Sequence, residues 1–256
     1  MTDPLSFYNS AYSGEHYASS LTHKDHFAAS EIIGFINKFQ LTNARCLEVG
    51  SGRGAFQDVV DDYTGTDLSE TVEQNYHKPF HIANAETLPF ADDSFDAVWT
   101  ITVLEHVPDP ERALREIRRV LRSDGLLLLK PAWNCRPWIC EGIPVRRYGD
   151  LSWRQRFVKM SLPIRESVVF RAAHTLPVRV WRCLTGIFLK RKSLVFRKLK
   201  ANYSHFWMAD SDACTSIDPF DAILWFRNRG DAVLSHPTWI SAFLSRSEPL
   251  VVRIKK

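Results

Sequence analysis

Cys46-Leu-Glu-Val-Gly-Ser-Gly-Arg-Gly-Ala-Phe56 reads as a buried strand ending in a carboxylate and a glycine-rich turn. Gly50, Gly52 and Gly54 lack the Cβ atoms that would hold a ligand off the backbone, and they accept positive φ where the chain leaves the strand. A nucleotide-like ligand can therefore lie directly against main-chain atoms. Glu48 adds negative charge beside the turn, which disfavours a pyrophosphate and favours a cationic or hydroxyl-rich ligand. Gly50-Ser-Gly-Arg-Gly-Ala55 also matches the dinucleotide pattern G-x-G-x-x-A, so the turn alone leaves the ligand open.

Working outward, Lys24–Phe39 carries apolar residues near helical spacing, and a helix is predicted to lead into the strand Arg45–Val49. A short helix is expected over Ala55–Val60. Asp62–Asp67 reads as a second strand with an acidic last residue, followed by a helix opening at Ser69. Phe80–Ala83 and Phe95–Thr100 are further strands. Asp109 and Pro110 give an N-cap with proline at the first helical position, for a helix that stops before Gly125. Leu126–Leu129 is a buried strand. Strands that are continuously apolar and alternate with helices predict a parallel sheet covered on both faces. Near the C-terminus Asp218-Pro219 repeats the cap-and-proline start, and Asp231–Ser235 and Leu250–Ile254 read as two terminal strands.

Three features narrow the ligand. Glu48 sits on the strand itself, Asp67 ends the next strand where a carboxylate can take both hydroxyls of a ribose, and Asn84-Ala85-Glu86 follows the third strand. The ordered set Leu47–Gly54, Thr64–Ser69, Asn84–Val98 and Val103-Leu-Glu-His-Val107 resembles the successive motifs of class I S-adenosylmethionine-dependent methyltransferases, closest to the "type 11" methyltransferase domain of ubiquinone and menaquinone biosynthesis enzymes. The resemblance covers residues 44–132. It implies a Rossmann-like α/β fold with a seven-stranded, mostly parallel sheet of order 3-2-1-4-5-7-6, and S-adenosylmethionine as cofactor. Carried over by position, it places Gly50, Ser51 and Gly52 at the methionine portion with Glu48 shaping that pocket, Asp67 on the ribose diol, and Leu68 on adenine. Asn84 stands where the family usually has an aspartate accepting the adenine amine, with Ala85 and Glu86 beside it. An amide oxygen still accepts that bond.

His106, at the carboxyl edge of the sheet, is the candidate general base; the alternative is that it only anchors the loop before Pro108. Tyr12, His16 and Tyr17 form either a lid over the cofactor, as in similar enzymes, or ordinary helix packing. Exocyclic amines of DNA are disfavoured as acceptors, because Thr100-Ile-Thr-Val-Leu-Glu105 replaces the motif such enzymes carry. The implied reaction is methylation, most simply on oxygen, of a small or lipid-linked acceptor such as a saccharide intermediate. A quinone-like lipid or RNA is the alternative acceptor, and a cofactor-binding adaptor the non-enzymatic alternative.

The chain of 256 residues has a net charge of +4, but sixteen of its basic and only three of its acidic side chains fall between Pro131 and Lys200. Four regions are expected: N-terminal lid and helices at 1–43, a cofactor-binding core at 44–131, a basic helical insert at 132–214, and the rest of the core at 215–256. Leu176–Lys200, with Pro177 as a helix start, mixes apolar and basic residues. Residues 177–200 thus suit an anionic membrane surface or a lipid-linked phosphate, a solvated helix face being the plain alternative. Asp210 and Asp212 lie in a stretch, Phe206–Asp231, that loosely resembles glycan-pathway methyltransferases; they either bind sugar hydroxyls or cap helices. The five cysteines follow no zinc or disulfide spacing, and no metal site is expected even for Cys135 and Cys140. Met1–Ser10 lacks the marks of a signal peptide and no apolar run spans a bilayer, which predicts a cytoplasmic protein, peripheral to the membrane if the insert docks there.

Overall fold

A computed structural model describes residues 4–13, 22–189 and 193–256, with side chains at 186–189 left aside. Two helices, α1 (Pro4–Ser13) and α2 (Ala29–Phe39), precede the strands β1 (Arg45–Val49), β2 (Asp62–Asp67), β3 (Phe80–Ile82) and β4 (Phe95–Ile101). Helix α3 (Pro110–Val120) leads into β5 (Leu121–Lys130). Then follow α4 (Pro137–Cys140), α5 (Trp153–Arg165), α6 (Val168–Leu189), β6 (Phe196–Lys198) and β7 (Thr215–Ile217). The chain ends with α7 (Pro219–Arg227), β8 (Ala232–Val233), α8 (Trp239–Phe243) and β9 (Leu250–Arg253).

The main sheet has the order β3-β2-β1-β4-β5-β9-β8, the arrangement implied by the motif resemblance. β9 runs antiparallel to β5, with Leu127 opposite Val252, whereas β1 to β5 pair in parallel. Alternation along β1 sends Leu47 and Val49 into one core with α3 and α7, and Cys46 into a second with α2. Both faces are thereby buried, which is why Leu126–Leu129 of β5 reads as an unbroken apolar run. Asp109 caps α3 by accepting from Arg112 N at 3.0 Å, and Asp218 caps α7 by accepting from Phe220 N at 2.9 Å, each with the following proline in the first turn.

The structure departs from the sequence expectations in the loops and the insert. The helix expected over Ala55–Val60 is a run of turns, in which Gln57 N donates to Gly54 O and Val59 N to Phe56 O, while Phe56 and Val60 still reach the second core. After Ser69, whose hydroxyl accepts from Thr71 N, the chain forms a 3-10 segment, Glu70–Asn75. Pro177 lies inside α6, not at its start, and the insert carries a second, two-stranded sheet of β6 and β7.

Candidate active site

The glycine turn is closed from both sides. Gly50 N and Ser51 N both donate to Thr66 O, so the turn is bonded to the end of the neighbouring strand. A Cβ at Gly50, where φ is +72°, would lie 2.2 Å from Val103 Cγ2, so only glycine fits. Gly52 N donates to Asp67 Oδ2 at 2.9 Å, and Ser69 N donates to Asp67 Oδ1 at 3.0 Å. Two amides thus fix the carboxylate beside the turn, although burial still holds its pKa above the ordinary aspartate value. Ala83 N donates to Asp67 O, which brings Asn84 to the same sheet edge.

Not every expected residue faces this turn. Glu48 accepts from the Tyr63 hydroxyl at 2.6 Å inside the core. Burial pushes its pKa up to about 8 against the pull of that bond, so burial opposes the negative charge expected beside the turn. The Asn84 side-chain oxygen accepts from Glu86 N at 2.9 Å in a local turn, and its residue is exposed. Glu86 reaches away to accept from Asp109 N at 3.0 Å, bracing the start of α3. Leu68 and Ala85 are partly buried, Ala85 against the α3 core.

Helix α1 lies across the opening. Tyr12 donates its hydroxyl to Asp67 Oδ2 at 3.4 Å, Ser69 donates to Asn9 Oδ1 at 2.7 Å, and the Arg53 guanidinium donates to Tyr12 O. One turn earlier, Tyr8 donates to Asp212 Oδ2 at 2.9 Å. A single helix face therefore bridges the Asp67 carboxylate and Asp212. His16 and Tyr17 lie outside the described residues.

Asp212 is the partner of His106. Its Oδ2 stands 3.0 Å from His106 Nδ1, and Asp212 is fully buried. Burial pulls the imidazole pKa down, but Asp212, Glu105 and Asp210 together push it up to about 9. The other nitrogen, Nε2, lies 3.8 Å from Glu105 Oε1, which accepts from Ala132 N. The contact forms because the end of the insert returns here: Cys214 N donates to Glu105 O and Thr215 Oγ1 to Leu104 O, both near 2.9 Å. Glu105, His106 and Asp210 each bring one polar atom within 4.8 Å of the others, so three titratable groups cluster here. Cys135 and Cys140, free thiols, instead donate to Ala132 O and Ala213 O.

Sequence reading singled out His106, Asp210 and Asp212 separately but missed their meeting, and missed Glu105 and Tyr8 altogether. The Asp-Ser-Asp spacing was the signal for one half of it.

The sequence profile of the methyltransferase domain family matches residues 47–129, a span that holds the glycine turn, Asp67 and His106. Over this segment the chain is similar to methyltransferase domains. The chain is 38% identical over 104 residues to the ubiquinone/menaquinone biosynthesis C-methyltransferase UbiE of Hahella chejuensis, covering 40% of this chain and 42% of that one. It is 32% identical over 129 residues to the phthiotriol/phenolphthiotriol dimycocerosates methyltransferase 1 of Mycobacterium ulcerans, covering 43% and 48%. Among solved structures, CalS10, an amino pentose methyltransferase from Micromonospora echinaspora, aligns with a TM-score of 0.39 and 22% identity over 52% of this chain and 59% of that one. The chain spans less than half the length of the curated relatives named here.

The site's donors suit the family's cofactor, S-adenosylmethionine. Asp67 already accepts one hydroxyl, from Tyr12, at the place where a ribose would present two, and the glycine backbone beside it has no side chain to clear.

Proposed function

We propose that the protein transfers a methyl group from S-adenosylmethionine to a hydroxyl of a small or lipid-linked acceptor, such as a saccharide intermediate of surface-glycan synthesis. The observation that carries this reading is the His106–Asp212 pair, joined to Asp67 through one face of α1. The bound cofactor supplies a methyl group on a positively charged sulfur.

In this reading Asp67 holds the ribose hydroxyls, Gly50, Ser51 and Gly52 give close main-chain approach, and Leu68 and Asn84 border the adenine. His106 Nε2 takes the proton from the acceptor hydroxyl. Asp212, 3.0 Å from Nδ1, stabilises through its charge the imidazolium that forms. Helix α1 excludes water from the space between the two carboxylates. Alignment of acceptor and donor supplies much of the rate, since no covalent intermediate with the protein is required.

A lipid-linked acceptor is supported by the names of the two relatives above, which act in quinone and dimycocerosate synthesis. A quinone-like lipid is accordingly the second reading. Contact with an anionic membrane, expected through residues 177–200, belongs with either acceptor. The test is incubation of the purified protein with methyl-labelled S-adenosylmethionine and with lipid and aqueous extracts of cells lacking the gene. Label in an alkali-stable ether of a lipid or glycan supports the proposal; label on carbon of a quinone supports the second reading, and no label in any fraction overturns both.

A further inference from the structure

The hairpin of α5 and α6 has a large surface that the rest of the chain does not cover. Between Trp153 and Thr185 the one buried residue is Arg179. Trp153, Phe157, Met160 and Ile164 recur every three to four residues along α5, so they share one face, and all four are exposed, Trp153 at 75%. Val169, 79% exposed, and Trp181 are further exposed apolar residues on α6. The polar side chains around it are almost all of one sign: Arg154, Arg156 and Arg171 are exposed, and Glu166 is the one acidic residue in the hairpin.

Apolar patches of this extent on a water-facing helix mark an interaction site. Two features choose the occupant. A second copy of the same face would bring like charges together. RNA would pair with the arginines but has no use for the aliphatic row of Met160, Ile164 and Val169. An anionic bilayer meets both demands at once: tryptophan and aliphatic side chains enter the headgroup boundary while arginines pair with lipid phosphates. None of the described helices is long and apolar enough to cross a membrane, so the hairpin would lie in the interface plane.

We propose that the α5–α6 hairpin docks the protein on an anionic lipid surface, with Trp153, Phe157, Met160 and Ile164 as the inserting row. This shifts the membrane contact from residues 177–200 towards the turn between the two helices; Lys190, Arg191 and Lys192 lie outside the described residues and the proposal does not use them. The inference is independent of the methyl acceptor. The hairpin is also mechanically tied to the active site. Arg179 is bidentate to Asp218, with Nη2 to Oδ1 at 2.6 Å and Nε to Oδ2 at 3.3 Å, and Arg182 pairs with Asp221. Asp218 follows β7, whose first residue, Thr215, is bonded to Leu104 beside the His106 loop. Docking would therefore set His106 at a fixed position relative to the lipid surface.

The experiment is co-sedimentation of the full chain with vesicles of phosphatidylcholine alone and of phosphatidylcholine mixed with phosphatidylglycerol. The wild type should bind the mixed vesicles, release as salt rises, and bind the neutral ones weakly. Trp153→Ser with Phe157→Ser and Ile164→Ser should weaken binding by at least about tenfold, the loss expected for three side chains withdrawn from the boundary. Arg154→Gln with Arg156→Gln and Arg171→Gln should remove the preference for anionic lipid. Unchanged circular dichroism and unchanged S-adenosylhomocysteine binding in both variants separate loss of docking from loss of fold. Wild type that ignores both vesicles, or vesicle binding unaltered by the apolar variant, overturns the proposal. So does a dimer that the apolar variant dissociates, or RNA binding, when vesicle binding is absent.

Discussion

His106 Nδ1 stands 3.0 Å from Asp212 Oδ2, across 106 residues of sequence, and the same Asp212 oxygen holds the Tyr8 hydroxyl. This contact changes what His106 can do. An isolated histidine titrates near 6.5, whereas this one is pushed up to about 9 by its acidic neighbours and carries a proton at neutral pH. As a base it must first lose that proton, so methyl transfer should rise with pH towards about 9.

Asp212→Asn should move the ascending limb of the pH–rate profile to lower pH, because the main charge raising the imidazole is removed. It should also lower kcat by on the order of 10²-fold at the new plateau, since imidazolium stabilisation is lost. Rates measured from pH 6 to 10 check both effects. An unshifted limb would show that Asp212 is only structural.

Glu48, Glu105 and His106 act on stability with one sign. Glu48 is raised to about 8 and Glu105 to about 7, both mainly by burial, so between an unfolded value of 4.5 and these values the folded chain binds more protons than the unfolded one. His106, raised from 6.5 to about 9, binds more protons when folded across that higher window. Its stabilisation is complete below 6.5 and is lost as pH rises through 9. Melting temperature should therefore fall from about pH 5 to pH 9. Glu48→Gln should flatten the acidic part of that slope, as thermal unfolding in a buffer series would read.

Arg179 is the buried clasp between α6 and α7, its side chain 4% exposed and its guanidinium also donating to Phe243 O. Arg179→Ala leaves Asp218 uncompensated and should cost about 3–5 kcal/mol in urea unfolding. A cost below 1 kcal/mol would mean that the hairpin is held chiefly by other contacts.

Much of the fold was legible because the parallel sheet imposes local patterns. Burial on both faces makes Leu126–Leu129 continuously apolar and leaves Glu48 the one polar residue in Cys46–Val49, and Asp109-Pro110 and Asp218-Pro219 mark helix starts within two residues. The missing helix over Ala55–Val60 was not legible, because Phe56 and Val60 reach the second core from a run of turns with the same spacing that a helix would use. Pro177 marked a plausible helix start in sequence, yet it lies well inside α6. In the site, Gly52 and Asp67 were legible together, being at the ends of adjacent strands. The His106–Asp212 pair was not, because it depends on how the insert folds back through Cys214 and Thr215, and no local spacing encodes that.

If Asp67 holds the cofactor's ribose as proposed, Tyr12 competes for that carboxylate, since its hydroxyl donates to Asp67 Oδ2. Tyr12→Phe should leave cofactor affinity equal to or up to about tenfold tighter than wild type, the scale of one hydrogen bond. A clear weakening would make Tyr12 a direct contact of the bound ligand.

The central claim, that the turn at Gly50–Gly54 and Asp67 form an S-adenosylmethionine site, is tested most directly by calorimetric titration with S-adenosylhomocysteine. Wild type should bind with one-to-one stoichiometry, and Asp67→Ala should abolish binding while keeping a cooperative thermal transition. Absence of heat and of any thermal stabilisation with the wild-type protein would contradict the account.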